Sequence, residues 1–222
     1  MSPFQPAVAP TASALEINKV LRNTYTLLAV TLLFSAMMAG VSMVMNIGGF
    51  TPLACSLGAI AIIWFVLPRF ANSSAGIGIV FLITGLLGFG IGPVLNSYLG
   101  LGNGGSIVMT ALGGTAVIFL ALSGYALTTK RDFSFMGGML VAGMVVVFIA
   151  MIANIFFQMP ALSLTISAVV IMIMSGFILF DTSRIINGGE TNYIMATVSM
   201  YLSIYNIFLS LLHILGALGG DD

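Results

Sequence analysis

Seven stretches of this 222-residue chain, about 24–45, 51–67, 75–95, 106–127, 136–157, 161–183 and 192–216, are almost wholly apolar. Each approaches the ~20 residues an α-helix needs to cross a hydrocarbon core roughly 30 Å thick. In such a core the backbone must satisfy its own hydrogen bonds, which an unbroken helix does within one segment. The expected fold class is an all-α membrane protein with seven transmembrane helices. A water-soluble alternative fails on charge, since Asp, Glu, Lys and Arg make up 5% of the chain where soluble domains carry about 25%. The first stretch reads as a true span and not a cleaved signal peptide, because its apolar part is long and no small-residue cleavage site leads into a hydrophilic domain.

Loop charges orient the bundle, because Lys and Arg near span ends are retained on the cytoplasmic side. Lys19 and Arg22 precede the first span, Arg69 follows the second, Lys130 and Arg131 the fourth, and Arg184 the sixth. The alternate connections, near 46–50, 96–105 and 158–160, carry no basic residue. This predicts a cytoplasmic N-terminus and a C-terminus on the opposite side. Residues 1–18, rich in Pro, Ala and Ser, are expected to form a flexible cytoplasmic tail, with residues 19–222 as the transmembrane domain. The lipid bilayer is thus the first partner. Zero net charge and the lack of a basic run argue against nucleic acid. A single cysteine, Cys55, excludes an intramolecular disulfide and any Cys-based metal cluster.

The Gly-rich stretch GLLGFGIGP (85–93) is no phosphate cradle, since no strand precedes it and no Lys-Ser/Thr follows. Gly85, Gly88 and Gly92 instead fall on one helical face, where small residues let backbones approach. No cofactor is implied. In the last span Ser199, Ser203, Asn206, Ser210 and His213 recur at spacings of 4, 3, 4 and 3, a polar seam along one face. At 1.5 Å per residue it runs roughly 21 Å. Such a face is expected to look into the protein or into water, which makes the seventh span a central helix; its hydroxyls and amide are either glue between helices or the lining of a cavity. His213 has no second His, Cys or carboxylate at ligand spacing, so no metal site is assigned.

Asp181 ends the apolar run of the sixth span, in LFDTSRIINGGETNY (179–193). A helix from Pro160 to about Ile186, stopped by Asn187-Gly188-Gly189, puts Asp181 within a turn or two of the cytoplasmic boundary. Arg184, three residues on, is expected to pair with it. An ionisable group in a span is a functional candidate, and a boundary pair is equally a fastener of the helix end. Intrinsic catalysis is not expected. Intramembrane aspartyl chemistry needs two facing carboxylates, and the Ser123 context, Ala121-Leu122-Ser123-Gly124, lacks the first Gly of a rhomboid-type nucleophile.

Several stretches together, KVLRNTYTLLAV (19–30), YALTTKRDFSFMGGML (125–140), ANIF (153–156), LFDTSRIINGGETNYI (179–194) and YLSIYNIFLSLL (201–212), resemble the Bax-inhibitor family of seven-span proteins, in its bacterial YccA-like branch. The resemblance implies six helices around a central seventh and a place in a bacterial inner membrane. It also implies association with the membrane-bound AAA protease FtsH and its associated complex, as a modulator, inhibitor or slow substrate. The alternative it implies is a proton-sensitive cation leak, with calcium as the candidate ion and Asp181, Arg184, Ser203 and Asn206 as the ion or proton site. Family members with that pH control resemble one another in a second aspartate, in the pattern Y-L-D-x-x-N. This chain reads Tyr201-Leu202-Ser203-Ile204-Tyr205-Asn206, so Ser203 stands where the second carboxylate would be. A coupled pair needs both groups, so the leak reading carries weakened pH control.

Overall fold

The computed structural model describes residues 14–129 and 131–219, and all seven expected spans are helices in it. They are α1 (Ala14–Val44), α2 (Thr51–Phe70), α3 (Ala75–Leu99), α4 (Gly104–Thr129), α5 (Ser134–Phe157), α6 (Pro160–Ile186) and α7 (Tyr193–Gly219). Most run a few residues past the apolar stretch, since a helix keeps closing its own hydrogen bonds into the interface. The largest extension is in α1. Residues 14–18 are its first turn and not part of a tail, in keeping with Glu16 near the helix N-terminus, where an acidic group is favoured. The rest of the expected tail, residues 1–13, lies outside the described residues, as do Lys130 and the terminal Asp221 and Asp222.

Short turns separate the helices and their chemistry is local. Asn46 and Gly49 take positive φ (49° and 69°) in the turn after α1. Pro160 opens α6, where a missing amide costs nothing, and Gly188 at φ 72° closes it. In α2, residues Ile62–Val66 form a π-helical turn just before Pro68, whose ring cannot continue the regular ladder.

Helix α3 is the most enclosed, with half of its most apolar window buried. Its glycine face packs on α1 as expected: a side chain at Gly85 would meet the Phe34 ring, one at Gly88 the backbone of Ser35, and one at Gly92 Ser42 and the Ala39 carbonyl. Helix α7 packs against α1, α3, α4 and α6, whereas among the described residues the backbone of α2 lies closest to α3 and that of α5 to α6. Where α1, α3 and α7 meet, the buried Tyr201 hydroxyl lies 2.6 Å from Ser35 Oγ and donates to the Thr84 carbonyl at 3.4 Å.

Candidate functional site

Helix α6 delivers Asp181, Thr182 and Ser183 consecutively, and all three are buried. Successive helical residues point about 100° apart, so three adjacent polar side chains reach three different neighbours. Asp181 Oδ2 accepts a 2.6 Å hydrogen bond from Ser199 Oγ on α7. Thr182 Oγ1 lies 3.3 Å from the Tyr25 hydroxyl on α1. Ser183 Oγ accepts from the Phe133 amide at 2.8 Å and from Asn187 Nδ2 at 3.1 Å, and donates to the Arg131 carbonyl at 3.2 Å. One turn of helix thereby fastens α7, α1 and the connection between α4 and α5. In that connection Asp132 caps the next turn by accepting from the Ser134 amide at 2.8 Å. Hydrogen bonds from Ser134, side chain first and backbone second, hold its carboxyl below the usual carboxylate range.

Arg184 does not pair with Asp181. Its guanidinium turns out to Glu190 at 3.3 Å, donates to the Gly189 carbonyl at 3.2 Å and lies 5.4 Å from the centre of the Phe180 ring. The reason is angular and chemical. Three residues leave Arg184 about 60° from Asp181, Asp181 faces the α7 packing surface, and the turn at Gly188 brings a second carboxylate back over the helix end. That turn continues the fastening. Asn192 Oδ1 accepts from the amides of Ile194 and Met195 at 2.9 and 3.1 Å, capping α7. Asn192 Nδ2 donates to the Ala71 carbonyl at 3.0 Å and to Asn72 Oδ1 at 2.8 Å, between α2 and α3. The motif LFDTSRIINGGETNY therefore ties together every connection at the basic end of the bundle.

The polar seam of α7 is a contact face toward α6. Ser199 reaches Asp181, and His213 Nδ1 lies 2.8 Å from Ser167 Oγ. Both pairs are fourteen residues apart on their own helix, as an antiparallel pair in constant register requires. Between them, Ser203 Oγ donates to the Ser199 carbonyl at 3.2 Å and Asn206 Nδ2 to the Leu202 carbonyl at 2.8 Å, each on its own helix, and Ser210 is buried. The α7 side chains that line a cavity of about 560 Å³ are Tyr201, Ile204, Tyr205 and Phe208, a neighbouring stripe. Of the candidate ion or proton residues, Asp181 is thus joined to Ser199, while Arg184, Ser203 and Asn206 each bond elsewhere. The sequence reading missed Tyr25, Thr182, Ser183, Ser167 and Asn192. Only Ser167 left a signal, its distance from Asp181 matching that of Ser199 from His213.

Comparison with known proteins places the chain among relatives of the same size. The family profile described as "Inhibitor of apoptosis-promoting Bax1" matches residues 17–220. A protein of Escherichia coli K12 named "Modulator of FtsH protease YccA" is 55% identical over 209 residues, covering 94% of each chain. Its counterpart in another E. coli strain, named "Inner membrane protein YccA", matches to the same extent. An "Uncharacterized membrane protein" of Vibrio cholerae is 50% identical over 208 residues, 94% of this chain and 93% of its own.

Proposed function

Because this chain belongs to the Bax inhibitor family, we propose that it is an inner-membrane protein that binds and modulates an FtsH-type membrane protease. The observation that carries this reading is identity at 55% across nearly the full length of a relative named for that role. The basic-end clasp supports it physically. An AAA motor pulls on a membrane substrate from the cytoplasm, and here that face is laced by Asp181, Thr182, Ser183, Glu190 and Asn192, so extraction has to break several bonds before any helix leaves. A substrate that yields slowly occupies the protease, which is one route to modulation. The test is affinity purification of the tagged full-length protein from mild detergent. FtsH enriched over an unrelated seven-span control, together with slower turnover of a known FtsH substrate on overexpression, is the expected result. An eluate without FtsH overturns the reading. Deleting residues 2–13, the proposed handle for the motor, should slow degradation of the protein itself in a pulse–chase.

The proposed orientation puts the basic end in the cytoplasm with α7 as the axis of the bundle, the other helices around it and the C-terminus in the periplasm; charge placement and the contacts of α7 with α1, α3, α4 and α6 support it. With Cys55→Ser as background, Ser13→Cys and Thr129→Cys should be shielded from an impermeant thiol reagent in intact cells. Gly219→Cys should react. Labelling of Ser13→Cys from outside would reverse the orientation.

A second reading, a calcium-type cation leak, is favoured by one observation. Asp181 is the charged residue, among those described, that is buried. Calcium flux into reconstituted vesicles that falls with Asp181→Asn would support it, and flux equal to that of empty vesicles would remove it.

A further inference from the structure

The cavity of about 560 Å³ beside α7 is partly open. Its walls are α1, from Leu32 to Met43, and α4, from Val108 to Leu120, with α3 and α7 behind. No Cα of α1 comes within 8 Å of one in α4, so the slot between these two helices faces the lipid. Eleven rises of helix, from Leu32 to Met43, make the groove about 17 Å long. One leaflet is half of a ~30 Å core, about 15 Å. The stretch lies toward the α1 C-terminus and the α4 N-terminus, and so belongs to the leaflet on the side where α7 ends.

We propose that this groove is a binding site for a single phospholipid acyl chain from that leaflet. Three features select hydrocarbon. First, shape: a slot about 17 Å long, walled by two helices, takes an extended chain lying along it, and its length is close to that of one leaflet. Second, the hydroxyls in the lining are already used by the protein. Ser35 and Tyr201 bond each other at 2.6 Å, Thr115 donates to the Ala111 carbonyl at 2.7 Å, and the Tyr205 hydroxyl points to the Leu87 carbonyl at 3.5 Å. A water needs two to four polar partners, and with their O–H donors turned to the protein these few hydroxyls offer only acceptor lone pairs in an otherwise apolar lining, whereas a methylene chain needs no polar partner. Third, an empty apolar slot forfeits the dispersion contacts of both its walls, and lipid chains are the material at its mouth. The chain acts as a removable wedge that completes the α1–α4 side of the bundle.

The test uses the full-length protein in nanodiscs of phosphatidylcholine carrying a photoactivatable diazirine near the end of one acyl chain, with cross-links mapped by mass spectrometry. Labelling of 32–43 and 108–120 should exceed that of the exposed α5 residues Val145, Val146, Phe148 and Ile149 by about tenfold, the ratio that ~1.4 kcal/mol of preference produces. Gly40 lines the groove and has open space where a side chain would stand, so Gly40→Phe fills the slot without a backbone collision. It should bring groove labelling down to the α5 level and leave α5 labelling unchanged. Ala36→Phe, on the same wall, serves if Gly40→Phe does not fold. Equal labelling of groove and α5 in the unmodified protein, or groove labelling indifferent to the filling variant, overturns the proposal.

Discussion

Gly88→Ala should cost the bundle about 3 kcal/mol or more, at or beyond the upper end of ordinary overpacking. A methyl group there would strike the Ser35 carbonyl and stand 2.8 Å from Ser35 Cα. These are backbone atoms of a neighbouring helix, so no rotamer change relieves the collision and α1 must move off α3. The movement carries Ser35 Oγ away from the Tyr201 hydroxyl, which breaks the junction to α7 as well. Gly40→Ala is the matched control on the same pair of helices. Nothing lies within 4 Å of its new methyl group, and the gain in helix propensity is about 0.5–1 kcal/mol in favour of alanine. Unfolding by SDS titration in mixed micelles should separate the two variants in opposite directions from the parent. A Gly88→Ala protein as stable as the parent would mean that α1 and α3 are not in backbone contact at this level.

Ser183→Ala should be the most damaging change in the clasp. The hydroxyl is fully buried and serves three partners, and alanine removes it without adding bulk, leaving the Phe133 amide, the Arg131 carbonyl and Asn187 Nδ2 without it. Each unsatisfied group costs about 1–3 kcal/mol when buried; partial exposure of these partners lowers the expected total to about 2–4 kcal/mol. Hydrogen exchange reads the effect directly. The Phe133 amide should lose its protection, and cleavage by trypsin after Arg131 should accelerate. Thr182→Val breaks one 3.3 Å contact with Tyr25 and should cost under about 1 kcal/mol. If both variants behaved alike, Ser183 would not be the pin of this connection.

What the sequence made legible follows from the range of each interaction. A span is a local property, twenty apolar residues in a row, and all seven stood at their expected places. The helix stop at Asn187-Gly188-Gly189 and the glycine face of α3 are equally local, the first a backbone angle at Gly188 and the second a spacing of three and four. The polar seam announced that one face of α7 looks inward but not which neighbour it meets, because its mates on α6 are single polar residues fourteen positions apart. Helical spacing pairs Arg184 with Asp181, and the turn at Gly188 overrides that spacing by returning Glu190 to the guanidinium. Thr182 and Ser183 were invisible as fasteners, since a hydroxyl in a helix bonds its own backbone as readily as a distant chain, and their partners lie 157 and 50 residues away.

The register between α6 and α7 sets the mechanics of any movement. Asp181–Ser199 and Ser167–His213 bolt the two helices near opposite ends, so a slip of one turn, about 5.4 Å, shears both bolts in a single step. It would leave a carboxylate and an imidazole unpaired in an apolar slab at once. The two helices therefore travel as one rod, and the bundle breathes more readily along a seam with no bolts, such as the slot where α1 and α4 stand apart.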